Sequence, residues 1–151
     1  MVQLSEVFSK TSKKPSSNIQ FFVEMSHFTK IKTTLTDLSL LKRSLDDLSI
    51  ECDSDIRLMK GYRNQEHFAN LVIKQSNGYD IGFTWNGMEY HLVADLQFWQ
   101  QPWSVETFLD KVSQRYAYNS IVKATESKGF QMVQEVNQEN GSIKLTMQRW
   151  N

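Results

Sequence analysis

A chain of 151 residues fits one domain, long enough to bury roughly two-thirds of the surface its unfolded form exposes. Lysine plus arginine and aspartate plus glutamate both number 17, so the formal net charge is zero, which excludes a dominant electrostatic attraction to bulk nucleic acid or an anionic membrane. The single cysteine, Cys52, excludes an internal disulfide, and no apolar run reaches the length of a membrane span.

Residues 1–24 are expected to be a flexible N-terminal extension, with one domain over 25–151. The stretch Ser9 to Asn18, SKTSKKPSSN, is polar, basic and broken by Pro15, and cannot bury enough apolar surface to offset its ordering. A modest strand is expected from His27 to Thr33. Thr36 reads as a helix N-cap, Asp37 falls in the first turn, and Leu38, Leu41, Leu45 and Leu48 share one helical face.

Ile50 to Lys60 reads as a weaker strand, interrupted by Asp53, Ser54 and Asp55. Phe68 to Gln75 reads as a better one, with Ala69, Leu71 and Ile73 on one face. After a turn at Ser76–Gly78, the residues Tyr79, Ile81, Phe83 and Trp85 alternate with Asp80, Gly82 and Thr84. Gly82, in mid-strand, marks a bulge or a close approach of another backbone. Asn86-Gly87 predicts a type I′ hairpin turn, beyond which Met88, Tyr90, Leu92, Ala94, Leu96 and Phe98 alternate again.

Tyr90 to Tyr118 then passes from strand to helix through an aromatic, glutamine-rich corner of Trp99, Gln100, Gln101, Pro102 and Trp103. Pro102 fixes its own φ and extends Gln101, so the strand cannot run smoothly into the helix. Ser104 supplies an N-cap oxygen. The helix carries Val105, Phe108, Leu109, Val112, Tyr116, Ala117, Ile121 and Ala124 as a broad apolar stripe and ends at Gly129. A strand from Phe130 to Val136 follows. A second type I′ turn at Asn140-Gly141 would set Val136 opposite Leu145 and Gln134 opposite Met147. A strand-helix-strand-strand unit thus occurs twice, from His27 to Gln75 and from Tyr90 to Trp150. The expected class is α+β, a largely antiparallel sheet with two main helices on one face.

The strings MSHFTKIKT at Met25, NGYDIGFTWNG at Asn77, VADLQFWQQPWSVETFLDKVSQRYAY at Val93 and the closing GSIKLTMQRWN resemble the hypothetical chloroplast reading frame thirty-five family of red-lineage plastids and cyanobacteria. The resemblance covers Met25 to Asn151. It implies a plastid stromal or cyanobacterial cytoplasmic location and no particular activity. Members commonly begin at the methionine matching Met25, so the leader departs from the family pattern. Ser49 stands where relatives often have glycine after the first helix.

Chemistry-bearing patterns are sparse. His27, His67, His91 and Cys52 lack the close paired spacing of a metal site, so neither metal nor cofactor is expected. Acidic Glu51, Asp53 and Asp55 around Cys52 oppose a reactive thiolate. No glycine cluster precedes a helix to cradle phosphate. Asp95, embedded between Ala94 and Leu96, is expected to accept hydrogen bonds from backbone or from Arg115; with Arg115 and His91 it forms the candidate polar site, and no catalytic residue is assigned. Tyr79, Phe83 and Trp85 could stack unpaired bases, but a half-buried aromatic row is more often core, and the neutral charge disfavours nucleic acid. Trp99, Gln100, Gln101 and Trp103 form the candidate partner-binding site, with large amphipathic rings and amide groups at a rigid joint. The reading is a non-enzymatic interaction or assembly module with a protein partner and no membrane insertion. The alternatives are a single-stranded nucleic-acid binder using the sheet aromatics and a small-molecule enzyme with its site near Asp95. Oligomeric state is not legible.

Overall fold

The computed structural model describes residues 3–8, 21–23, 28–61 and 66–149, the first two segments as backbone. In chain order the elements are β1 (Gln3–Phe8), β2 (Phe21–Val23), β3 (Thr29–Ile31), α1 (Leu38–Asp47), β4 (Arg57–Lys60), β5 (Glu66–Ala69), β6 (Leu71–Ile73), β7 (Ile81–Trp85), β8 (Tyr90–Ala94), a 3₁₀ turn (Leu96–Phe98), α2 (Val105–Ser127), β9 (Phe130–Asn137) and β10 (Ile143–Arg149). The class is α+β, and every strand pairing among the described residues is antiparallel. Where it is described, the stretch read as a flexible extension is strand: β1 pairs with β10, and β2 with β3. The polar run from Ser9 to Asn18 and the edge expected between residues 24 and 25 lie outside the described residues. By compactness the chain divides into two units, Ser17–Tyr116 and Met1–Ser16 with Ala117–Asn151, with the boundary inside α2.

In Ser17–Tyr116 a five-stranded sheet runs in the order β2-β3-β8-β7-β6. One face carries the main core: Ile31, Leu71, Ile73, Ile81, Phe83, Leu92 and Ala94 pack with Leu41 and Leu45 of α1 and with Phe108, Leu109 and Val112 of α2. A second cluster joins Val72 and Val93 to Phe28, Met59 and Ala69. Alternation along β6 and β8 sends successive side chains to opposite faces, so Leu71 and Ile73 join the first cluster while Val72 joins the second.

Gly82 is a point of close approach: a Cβ there would lie 2.5 Å from the Leu71 carbonyl oxygen and 2.6 Å from the Met59 sulfur. The run expected as one strand from Phe68 to Gln75 breaks at Asn70, whose N–H donates to the Phe83 carbonyl and whose Oδ1 accepts the Trp85 N–H. β5 therefore pairs with β4 in a separate ribbon while β6 pairs with β7, and Ala69 sits in the second cluster, away from Leu71 and Ile73. Ile50 to Lys60 is strand only from Arg57, with Asp53 forming a single bridge to Val72.

The α1 cap falls one residue later than expected. Asp37 Oδ1 accepts the Leu40 N–H at 3.1 Å, while the Tyr116 hydroxyl accepts the N–H groups of Thr36 and Asp37 at 3.3 and 2.9 Å. At the other end Ser49 adopts φ +59°; its N–H donates to Asp46 O, and the Ile50 N–H to Leu45 O. These two bonds make a Schellman closure with serine in the left-handed position that glycine usually fills.

The β7–β8 turn is longer than a type I′ turn. Trp85 pairs with Tyr90, leaving Asn86 to Glu89 as the loop, and only Gly87 among them has positive φ. Asn86 Oδ1 accepts both the Met88 and Glu89 N–H groups at 2.8 Å, and this local capture displaces the two-residue turn. The shift moves the register by two residues, so Tyr90, Leu92 and Ala94 keep their inward face while Met88 is exposed. Leu96 and Phe98 leave the strand alternation for the 3₁₀ turn, which Asp95 caps through Oδ1 to the Gln97 N–H at 3.1 Å.

In the other unit β9, β10 and β1 form a three-stranded sheet in the order β1-β10-β9. Leu145 packs with Tyr118 and Val122 from the later part of α2, flanked by Ile121, Met132 and Ile143. This part of the helix buries Tyr118, Val122 and Thr125, and Ala124, expected on the stripe, is exposed. The β9–β10 turn is also not type I′. Gly141 donates to Gln138 O, Gln138 pairs with Ser142, and Gly141 at φ +82° completes a three-residue loop. Val136 consequently pairs with Lys144, Leu145 with Glu135, and Gln134 with Thr146; an irregularity before Met147 then sets it opposite Met132.

Candidate functional site

The corner after β8 is held by three polar residues in the turn between β6 and β7. Gln75, 7 % exposed, uses its whole side-chain amide: Nε2 donates to the carbonyls of Tyr79 (2.6 Å) and Phe98 (3.1 Å), while Oε1 accepts the Gln100 N–H (2.7 Å) and Gln101 Nε2 (3.2 Å). Ser76 Oγ donates to Gln100 Oε1 at 3.0 Å, and Asn77 Nδ2 to Phe98 O at 2.8 Å. Tyr79 stacks on Phe98 with ring centres 3.9 Å apart and planes 9° from parallel. Gln75 is not in the sequence-derived site; its signal is a glutamine shortly after the apolar run LVI and just before Ser-Asn-Gly.

Both corner tryptophans are half-buried against the main core. Trp99 meets Phe108 edge-on at 5.2 Å and donates its indole N–H to the Trp103 carbonyl at 2.8 Å, closing the corner on itself. Trp103 carries the Lys111 ammonium 5.2 Å above its ring. Ser104 caps α2, its Oγ accepting the Thr107 N–H at 3.2 Å. Gln101, Pro102 and Trp103 form one wall of a groove of about 370 Å³. Ile73 and Lys74 of the sheet edge and Leu48 to Glu51 after α1 complete it.

The candidate polar site does not assemble. Arg115 Nε donates to Asp47 Oδ2 at 2.8 Å, not to Asp95. His91 Nε2 lies 2.9 Å from Asn86 Nδ2 and 3.5 Å from Glu89 Oε1, beside the β7–β8 turn. Asp95 is buried, bonded by Oδ1 to the Gln97 N–H as the sequence reading anticipated from backbone, and its Oδ2 is buried with no hydrogen-bond partner among the described residues. The Cys52 thiol pKa is raised, first by burial and then by Asp46 and Asp53, with Lys42 acting in the opposite direction. A raised pKa lowers the thiolate fraction and so disfavours nucleophilic reaction. His67 Nδ1 lies 2.7 Å from Phe68 O, with its ring edge-on to Phe28; His27 lies outside the described residues. The aromatic row does not present three open ring faces: Phe83 is fully buried, Tyr79 is covered by Phe98, and Trp85 leans on Tyr90. Among the described residues no helix is long and apolar enough to cross a membrane, and no group of three acidic, histidine or cysteine side chains could hold a metal ion.

Residues 44–146 match a family described as "Protein of unknown function (DUF1257)". The chain is 64 % identical over 126 residues to "Uncharacterized protein ycf35" of Guillardia theta, covering 83 % of this chain and 98 % of the relative. It is 54 % identical over 127 residues to the protein of the same name from Pyropia yezoensis, covering 84 % and 99 %. For that of Cyanophora paradoxa the identity is 42 % over 126 residues, covering 83 % and 98 %. No solved structure matches.

Proposed function

The chain belongs to the ycf35 family of plastid-encoded proteins, and from that premise we propose that it is a non-enzymatic interaction or assembly module of the plastid stroma, docking a protein partner at the Trp99–Trp103 corner. The observation that supports this is the groove beside the corner, where a half-buried tryptophan and a proline on a rigid joint face apolar Ile50 and Ile73. Aromatic side chains held in place at low entropic cost are what protein interfaces use as anchors. Gln75 holds the backbone at Gln100, so the joint's backbone is pre-organised and docking costs less ordering there. Neither the nucleic-acid nor the enzyme reading has comparable support, because Phe83 is core and Asp95, Arg115 and His91 stand apart.

A benzophenone amino acid placed at Gln100, an exposed side chain, tests the reading in plastid extract. A discrete protein adduct is expected from this position, absent when the same group sits at Glu139 and lost when Trp103→Ala is added. Identical adducts from both positions, or adducts indifferent to Trp103→Ala, would overturn it.

A further inference from the structure

The groove at the corner continues into two further hollows to form one trough, and all three share Glu51. With a smaller hollow the groove also shares Ser49 and Ile50, beside Asp46; with a second of about 370 Å³ it also shares Lys74, beside Cys52, Asp53 and Val72. The trough follows β6, the last strand of the five-stranded sheet. At Val72 that edge is already closed, since Asp53 exchanges both backbone hydrogen bonds with it at 2.8 and 3.0 Å. A chain lying there would be read through its side chains rather than by extending the ladder.

Its lining carries more carboxylates than cations. The ionised side chains lining the three hollows are Asp46, Glu51, Asp53 and Lys74. Lys74, the basic one, lies 3.5 Å from Asp53, which Arg57 also approaches at 3.3 Å. Asp46 and Glu51 are exposed and form no ion pair among the described residues. The groove lining also includes apolar Ile50 and Ile73 together with Pro102 and Trp103.

We propose that the trough takes an extended peptide segment of a partner, a basic side chain meeting Glu51 and Asp46 and a neighbouring aliphatic side chain packing against Trp103 and Ile73. This rests on the docking function above and names its partner chemistry. Charge supplies orientation and encounter rate, and the buried aliphatic side chain supplies residence time.

Fluorescence anisotropy of the purified full chain tests it with three fluorescein-labelled hexapeptides, alternating arginine with valine, glutamate with valine, and arginine with serine. The arginine–valine peptide is expected to bind at least about tenfold more tightly than either of the others. Glu51→Lys, a change at an exposed position whose folding circular dichroism checks, should weaken that binding by about fivefold or more, and Glu139→Lys should leave it unchanged. Equal binding of the arginine–valine and arginine–serine peptides would reduce the effect to bulk charge and overturn the proposal. So would an affinity indifferent to Glu51→Lys. If the partner crosslinked through Gln100 presents an acidic segment, the docking function stands and this assignment alone fails.

Discussion

The side-chain oxygen of Gln75 accepts the backbone N–H of Gln100 at 2.7 Å, tying the turn after β6 to the corner before α2. Because the same amide also bonds to Tyr79, Phe98 and Gln101, its removal takes a partner from several partly buried polar groups at once. Gln75→Ala is expected to cost about 2–3 kcal/mol, the penalty for leaving buried donors and acceptors unmade. Urea unfolding followed by tryptophan fluorescence measures this; a midpoint matching the parent chain would show that water serves the corner equally well.

The two tryptophans of the corner are expected to separate in their effects. Trp99→Ala removes an edge-on ring contact, core packing and an indole hydrogen bond, and should destabilise by about 3 kcal/mol or more. Trp103→Ala opens the groove wall and loses contact with the Lys111 ammonium, at about 1–2 kcal/mol, while abolishing the crosslink through Gln100. Equal losses of stability would make the corner a joint and nothing more.

Ser49 is the described non-glycine residue with positive φ. Ser49→Gly relieves that strain within the Schellman closure and is expected to stabilise by about 1 kcal/mol, seen as a melting temperature raised by a few degrees. A lowered melting temperature would mean that the entropy glycine adds to the unfolded chain outweighs the relief.

Gly82→Ala should do the reverse. The new methyl would meet the Leu71 carbonyl, a backbone atom in a paired strand that cannot swing aside. A loss of about 1–3 kcal/mol is expected in denaturant unfolding, and a neutral result would require β6 to sit farther from β7 than it does.

Cys52 is expected to react with iodoacetamide more slowly at neutral pH than a free cysteine. Its pKa is raised, so the thiolate fraction at a given pH is smaller, and the rate should climb only at a higher pH than for a model thiol. Asp46→Asn removes one of the raising charges and should shift that pH profile downward; an unmoved profile would leave burial and Asp53 as the raising causes.

What the sequence determined by itself was local. Period-two alternation placed Ile81, Phe83, Tyr90, Leu92 and Ala94 on an inward face, and the leucine spacing placed Leu41 and Leu45 in the core, because side-chain direction follows from backbone geometry alone. Ser104 and Gly129 marked the ends of α2 because capping needs only the neighbouring few residues. The tertiary structure decided whatever depended on which of several partners a polar group would find. Asn86 could have sat in a two-residue turn, but its carboxamide captured two backbone N–H groups and lengthened the loop. Asp95 and Arg115 were each candidates for the other until Asp47 took the guanidinium. Gln75 looked like the ordinary end of a strand, and Ile50, Glu51 and Lys74 like unrelated positions, until the chain brought Pro102 and Trp103 beside them. Such pairings turn on small differences between competing hydrogen bonds and packing contacts, and those differences exist only once distant segments share the same space.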